Sequence, residues 1–194
     1  MSNPGRGYRN EFRIIGGNWR RRRLPFPPLP GIRPSPDRVR ETLFNWLQGW
    51  LPGARCLDLF AGSGALGLEA LSRGAASCVF VDQERAAIDA LRAHVATLQA
   101  HGAGLIQADA MVYLSGSAQA FDLVFLDPPF ASDLLPRVLA RLSTDGWLAP
   151  GARVYMECPA GHMPVLPAGW VMLRESRAGN VAYGLAASGT VLPA

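Results

Sequence analysis

Apolar and polar residues are grouped in short blocks along most of this chain. Apolar runs fall at 55–60, 78–82, 104–108, 121–126 and 152–157, each short enough and bounded sharply enough to predict a strand. Between them, apolar residues recur at three- and four-residue spacing over 65–73, 84–100, 110–115 and 131–142, the pattern of helices with one buried face. Strict alternation of strand and helix predicts an α/β sheet with right-handed crossovers. After Pro159 the pattern changes. Trp170 to Glu175 and Asn180 to Ala186 read as two strands joined through Ser176-Arg177-Ala178-Gly179, an antiparallel hairpin that closes the sheet. The expectation is a seven-stranded, mostly parallel sheet with helices on both faces.

The N-terminal fifth is organised differently. Residues 1–10 are polar and glycine-rich, and residues 13–20 predict a short hairpin turning at Gly16-Gly17-Asn18. Leu24 to Pro36 holds six prolines and reads as extended linker. Ser35-Pro36-Asp37 then opens a helix whose apolar stripe is Val39, Leu43, Phe44 and Leu47, and Pro52-Gly53 ends it. Arg38, Arg40 and Glu41 fall on or beside its polar side and read as solvated. The expected division is an arm and linker over 1–34, a body over 35–188 and a tail over 189–194.

Charge sharpens that division. Residues 1–40 carry ten arginines against Glu11 and Asp37, a net of +8, whereas the remainder carries nine arginines against thirteen acids, a net of −4. A basic arm on a mildly acidic body suits a polyanionic partner met by one end of the protein. The run Arg20 to Arg23 is flanked by Trp19 and Phe26, and cations beside aromatic rings favour nucleic acid over a merely solvated loop. Candidate nucleic-acid contacts are Arg13, Trp19, Arg20, Arg21, Arg22, Arg23, Arg33 and Arg38. Cys56, Cys78 and Cys158 lie in or beside apolar runs and read as buried free thiols. With no long apolar run and no signal-peptide core, the chain reads as soluble and cytoplasmic. His94, His101 and His162 are scattered, so no metal site is expected, and His94 and His101 read as helix surface.

The candidate chemistry begins at Leu57-Asp58-Leu59-Phe60-Ala61-Gly62-Ser63-Gly64. This is a strand, a tight glycine turn and a helix start, where a ligand can approach bare backbone and meet unpaired N–H groups. Gly62, Gly64 and Gly67 spell G-x-G-x-x-G, and Asp82 follows twenty residues after Gly62, which by spacing alone is a dinucleotide fingerprint. Two features oppose that reading. Asp58 puts a carboxylate ahead of the glycines, where a pyrophosphate gains little. Asp127-Pro128-Pro129-Phe130 follows another buried strand.

Together these stretches resemble S-adenosylmethionine (AdoMet)-dependent methyltransferases of the N-methylating D/N-P-P-Y/F type, a class I, Rossmann-like fold. On that resemblance Phe60, Ala61, Gly62 and Gly64 pass beneath the cofactor, and Asp58 accepts from its amino end or braces the loop. Asp82, followed by Gln83, takes the two ribose hydroxyls. Asp109 accepts from the adenine amine, with Ala110 beside it, or else caps the helix at 110–115. An amine conjugated to a base is a poor nucleophile. Asp127 and the Pro128 carbonyl can accept its two N–H groups and free its lone pair, Pro129 stiffens the loop, and Phe130 offers a stacking face.

The whole chain is similar to the bacterial 16S ribosomal RNA guanine-N2 methyltransferases that modify the small-subunit guanine conventionally numbered 966. The likeness is carried by residues 13–17 (RIIGG) with the following arginines, residues 33–45, residues 57–74, Asp127 to Phe130, and Val181-Ala182-Tyr183. It implies a hairpin that helps grip RNA, AdoMet as cofactor, and an assembled or assembling small subunit as substrate; nothing in the sequence demands more than a monomer. This chain departs from the family in its dense arginine run and in Gly184, where a basic residue is common. Other readings left open are DNA adenine or protein amide methylation, and an RNA-binding assembly factor with the same fold. Lack of a separate target-recognition domain opposes the DNA reading, and the basic arm opposes a protein substrate.

Overall fold

The computed structural model describes residues 10–27, 36–130, 132–144 and 146–189. A two-stranded antiparallel ribbon comes first, β1 (Glu11–Arg13) with β2 (Arg23–Pro25), paired Glu11 to Pro25 and Arg13 to Arg23. The hairpin is therefore longer than the sequence suggests. Its loop spans residues 14–22 and contains a 3-10 turn at Gly17–Trp19, while Arg23, Leu24 and Pro25 form strand rather than linker. Proline is tolerated in β2 because this is a ribbon edge.

The body follows as α1 (Asp37–Trp46), β3 (Arg55–Asp58), α2 (Ala65–Ser72), β4 (Ser77–Asp82), α3 (Arg85–Leu98), β5 (Ala103–Gln107) and α4 (Ala110–Tyr113). Then come β6 (Phe121–Leu126), α5 (Leu134–Thr144), β7 (Leu148–Pro159), β8 (Val171–Ala178) and β9 (Val181–Ala187). The seven large-sheet strands run in the order β5-β4-β3-β6-β7-β9-β8. All neighbours are parallel until β9, which pairs antiparallel with both β7 and β8. The sequence reading holds in strand number, order along the chain and the closing hairpin. Differences are at the ends: α1 stops at Trp46 rather than at Pro52-Gly53, α5 starts at Leu134 rather than 131, and Ser176, Arg177 and Ala178 continue β8 instead of forming the turn. β7 reaches from Leu148 to Pro159 because it pairs with β6 on one side and β9 on the other.

Period-two alternation sends the strands' side chains into two cores. One face gathers Cys56, Cys78, Phe80, Leu123, Phe125 and Tyr155 under α1, α2, α3 and the arm. The other gathers Leu57, Val81, Val124, Leu126, Val154 and Met156 under α4 and α5. Phe12, Ile14 and Leu24 of the ribbon are at most 4% exposed and belong to the first core, so the arm is packed against the body.

Two expectations fail here for the same reason. Arg40 is fully buried: it donates to the Arg13 carbonyl at 2.9 Å and to Asp37 at 2.5 Å, and its guanidinium lies 3.8 Å from Glu69. His94 is 4% exposed, with Nε2 2.6 Å from the Pro25 carbonyl oxygen. Both look like surface on their own helices and are covered because the ribbon lies over them. Among the described residues no helix is long and apolar enough to cross a membrane.

Candidate active site

The sheet reverses its winding between β3 and β6, and a crevice opens at the carboxyl ends of the strands there, the usual place for a ligand in an open α/β sheet. A cavity of about 770 Å³ occupies it. Its walls come from the loops after β3, β4, β5 and β6, from β7, and from Pro36 at the start of α1.

The glycine turn is shaped by carboxylates. Gly62 and Gly64 sit at φ of +50° and +81°, which side-chain-bearing residues rarely adopt, so the turn needs glycine. Asp82 accepts from the Gly62 N–H at 2.7 Å through one oxygen and from the Glu84 N–H at 2.8 Å through the other. Asp58 accepts from the Gly67 N–H at 3.0 Å. Gly67 has a further reason to be glycine: a Cβ there would lie 2.3 Å from the Phe80 ring and 2.7 Å from the Cys78 sulfur, so α2 rests directly on β4. Burial is the main cause that raises the Asp58 carboxyl to about 7, and nearby Asp82 adds to it, although the Gly67 bond acts in the opposite sense. Buried Cys56 is pushed up to about 12, an inert thiol.

Of the candidate cofactor residues, Asp58, Phe60, Ala61, Gly62, Asp82, Gln83, Asp109 and Ala110 line the cavity. Gly64 does not line it and instead forms the N-cap of α2. Asp109 is an N-cap: one oxygen accepts from Met111 N–H at 2.8 Å and Val112 N–H at 3.1 Å, the alternative already open in the sequence. Its place on the cavity wall is compatible with a second contact through the same carboxylate. Asp127, Pro128, Pro129 and Phe130 line the same cavity, with Phe130 44% exposed.

Several lining residues were not foreseen, and one of them is a buried acid. Glu157, on β7, is 3% exposed, lines the same cavity and accepts from the Tyr155 hydroxyl at 2.8 Å. In sheet order β4, β3, β6 and β7 thus present Asp82, Asp58, Asp127 and Glu157 side by side. Glu157 is a single acid within the apolar run Val154-Tyr155-Met156-Glu157-Cys158 and belongs to no local motif, so only an acid interrupting a buried strand could have pointed to it.

The candidate RNA residues that the structure describes do not line the cavity. Arg13 pairs with Asp37 at 2.9 Å, Arg22 donates to the Thr97 carbonyl at 3.3 Å, and Arg23 pairs with Glu11. Trp19 is half-buried against the body, and Arg20, Arg21 and Arg38 are exposed. Arg33 lies outside the described residues. Among the described residues no cluster of metal-ligating side chains occurs.

Strand order, glycine turn and a D-P-P-F stretch lining the same cavity define a class I methyltransferase. A family model described as Conserved hypothetical protein 95 matches residues 12–187, and the chain belongs to that family. It is 47% identical over 186 residues to ribosomal RNA small subunit methyltransferase D of Escherichia coli strain K12, spanning 95% of this chain and 94% of that one. The protein of the same name from Haemophilus influenzae is 39% identical over 181 residues, spanning 91% and 94%. The solved structure of yhhF from Escherichia coli superposes with a TM-score of 0.87 at 45% identity, covering 93% of this chain and 99% of that one.

Proposed function

We propose that this enzyme uses AdoMet to methylate the exocyclic N2 amine of a guanine in small-subunit ribosomal RNA, on an assembled or assembling subunit in the bacterial cytoplasm. The observation that carries the reading is that one cavity is lined both by Asp58, Gly62 and Asp82 and by Asp127 to Phe130. Relatives named as small-subunit ribosomal RNA methyltransferases over nearly their full length support the substrate class. The base and atom rest on the family resemblance in the sequence.

The cavity fits the cofactor on its own evidence. Its volume is in the range of cofactor sites, and its floor is a glycine turn that leaves backbone accessible. Asp58 would hold the amino end, Asp82 the ribose, and Asp109 with Ala110 the adenine edge. When bound, AdoMet supplies an electrophilic methyl: the N–C bond forms as the S–C bond breaks, and the amine must then lose one proton.

The chain's own groups serve the other reactant. Asp127 and the Pro128 carbonyl accept from the two amine hydrogens, so the nitrogen lone pair is less committed to the ring. Asp127 is placed to take the released proton. Phe130 offers its half-exposed ring to the base, and Pro129 keeps the loop rigid, so alignment is set before reaction. The target nucleotide must leave its stack to enter the cavity, which a loop or junction in structured RNA permits most cheaply. In this reading the arm, residues 1–34, meets phosphates through the exposed guanidiniums of Arg20 and Arg21. The body, 35–188, works as a monomer without a metal.

The test is transfer of tritiated methyl from AdoMet to unmodified small subunits, stripped ribosomal RNA, duplex DNA and a ribosomal protein mixture. Label recovered as N2-methylguanine in small-subunit RNA, and abolished by Asp127→Ala, is the expected result. Label in DNA or protein would overturn the substrate while leaving the chemistry.

A further inference from the structure

The D-P-P-F wall explains how an amine is held but not how guanine is told from adenine or cytosine, which also carry exocyclic amines. We infer that Glu157 is a second base-recognition residue of the same site, accepting the ring N1–H of guanine beside the N2 amine held at Asp127. The inference rests on the guanine-N2 reading above.

Register brings the two acids together. β6 and β7 are parallel and pair Phe125 with Tyr155 and Leu126 with Met156, so Asp127 and Glu157 are the next residues on neighbouring strands, which lie about 4.8 Å apart. Both line the one cavity. Guanine presents its N1–H and N2 amine as adjacent donors on one edge, and two carboxylates on adjacent strands match that pair. Adenine presents an unprotonated N1 next to its amine, so a carboxylate there meets a lone pair. Cytosine presents an unprotonated N3 beside its amine and is opposed in the same way.

Glu157 is also held in place. The Tyr155 hydroxyl donates to its Oε1 at 2.8 Å, and residues 155 and 157 share a face of β7 by alternation. Tyr155 in turn packs edge-on against Phe125 and is itself fully buried, which makes it a positioning residue for the carboxylate. Burial and the neighbouring Glu157 hold the Tyr155 hydroxyl well above its ordinary range, so it remains a donor. A carboxylate nearly removed from solvent is costly unless hydrogen bonds repay it, and a charge-assisted bond to a base supplies discrimination that a neutral group does not.

The experiment uses small subunits reconstituted with either guanine or 2,6-diaminopurine at the methylated position. Both bases carry a 2-amine, but diaminopurine has a lone pair at N1. The wild-type enzyme should favour guanine by at least about 10-fold in kcat/KM, as expected when a buried polar partner is left unmatched. In Glu157→Gln, with Tyr155 still donating to the amide oxygen, the amide NH2 takes the other oxygen's place. Guanine turnover should fall about 10- to 100-fold, while diaminopurine falls less or improves, so the preference narrows or inverts. AdoMet affinity and thermal midpoint, measured on the same variant, should stay near wild type.

Equal loss on both bases in Glu157→Gln, or no wild-type preference between them, would overturn the role of Glu157 while leaving the guanine reading intact. Absence of any wild-type transfer to a guanine amine would overturn the reading on which it rests.

Discussion

Glu69 accepts the backbone N–H of Gly16 at 2.8 Å across 53 residues of sequence, from a side chain that is fully buried. Its other oxygen accepts from Ile15 N–H at 2.7 Å, and Arg73 donates at 2.7 Å to the oxygen that Gly16 uses. The helix that begins at the glycine turn therefore carries the anchor of the basic arm. Replacing Glu69 with Gln removes the negative charge that faces the Arg40 and Arg73 guanidiniums and weakens two backbone bonds. A loss of about 3–5 kcal/mol is expected, the usual cost of breaking a buried charge network, read as a lower urea midpoint.

Gly17 is held more tightly still. Its φ is +71°, and a Cβ would stand 1.8 Å from the Ser72 carbonyl oxygen, a backbone atom that cannot turn aside. Gly17→Ala should lift the loop off α2 and break the Trp19 N–H bond to the Ser72 hydroxyl, now 2.9 Å. Trypsin should then cut at Arg20 to Arg23 at least about 10-fold faster than in the wild type, since cleavage follows the population of the opened loop.

Asp58 gives stability a pH dependence of uncommon sign for a carboxylate. Its folded value of about 7 lies above the ordinary 3.8, so the folded state binds the proton more tightly than the unfolded chain. Its contribution is complete below 3.8, declines as pH rises towards about 7, and is flat above that. Asp58→Asn should remove this slope. Urea denaturation of both proteins at pH 5, 6, 7 and 8 should show the wild type losing ground to the variant as pH rises.

His94 acts in the other direction. Burial lowers its pKa below 6.5, outweighing the bond to the Pro25 carbonyl, so its contribution is present above 6.5 and is lost as pH falls. Protonation would also require a second buried N–H at Nδ1, which has no partner among the described residues. Arm protection against trypsin should therefore weaken on acidification below pH 6.5. In His94→Gln, which keeps a donor for Pro25 without a titrating ring, it should not.

Arg20 and Arg21 are exposed at the tip of the ribbon loop. If they meet phosphates, the double change to Ala should flatten the dependence of log affinity on log salt by roughly 0.7–0.9 for each phosphate no longer neutralised. Binding of labelled small subunits from 50 to 200 mM salt measures this. An unchanged slope would move the RNA contact elsewhere on the protein.

Much of this molecule is written in local pattern. The strands at β3, β4 and β6 are apolar runs closed by turns. Asp58, Asp82 and Asp127 stand at strand ends, Asp58 four residues before Gly62 and Asp127 directly before two prolines, so their place on the cavity follows from short-range chain geometry. Asp109 was legible as a choice between two roles, and the backbone N–H groups of Met111 and Val112 occupy one of its oxygens. Glu157 was not legible: what brings it beside Asp127 is the pairing of β7 with β6, thirty residues apart, and no local signal records strand order. Arg40 and His94 read as surface from their own polarity and lie under the ribbon in space, because Phe12, Ile14 and Leu24 bury their own apolar area only by covering those helices. Periodicity and turn chemistry are properties of a few consecutive residues and can be read from them. Burial, ion pairing and the company a side chain keeps depend on which distant surfaces meet, and those were settled when the chain closed on itself.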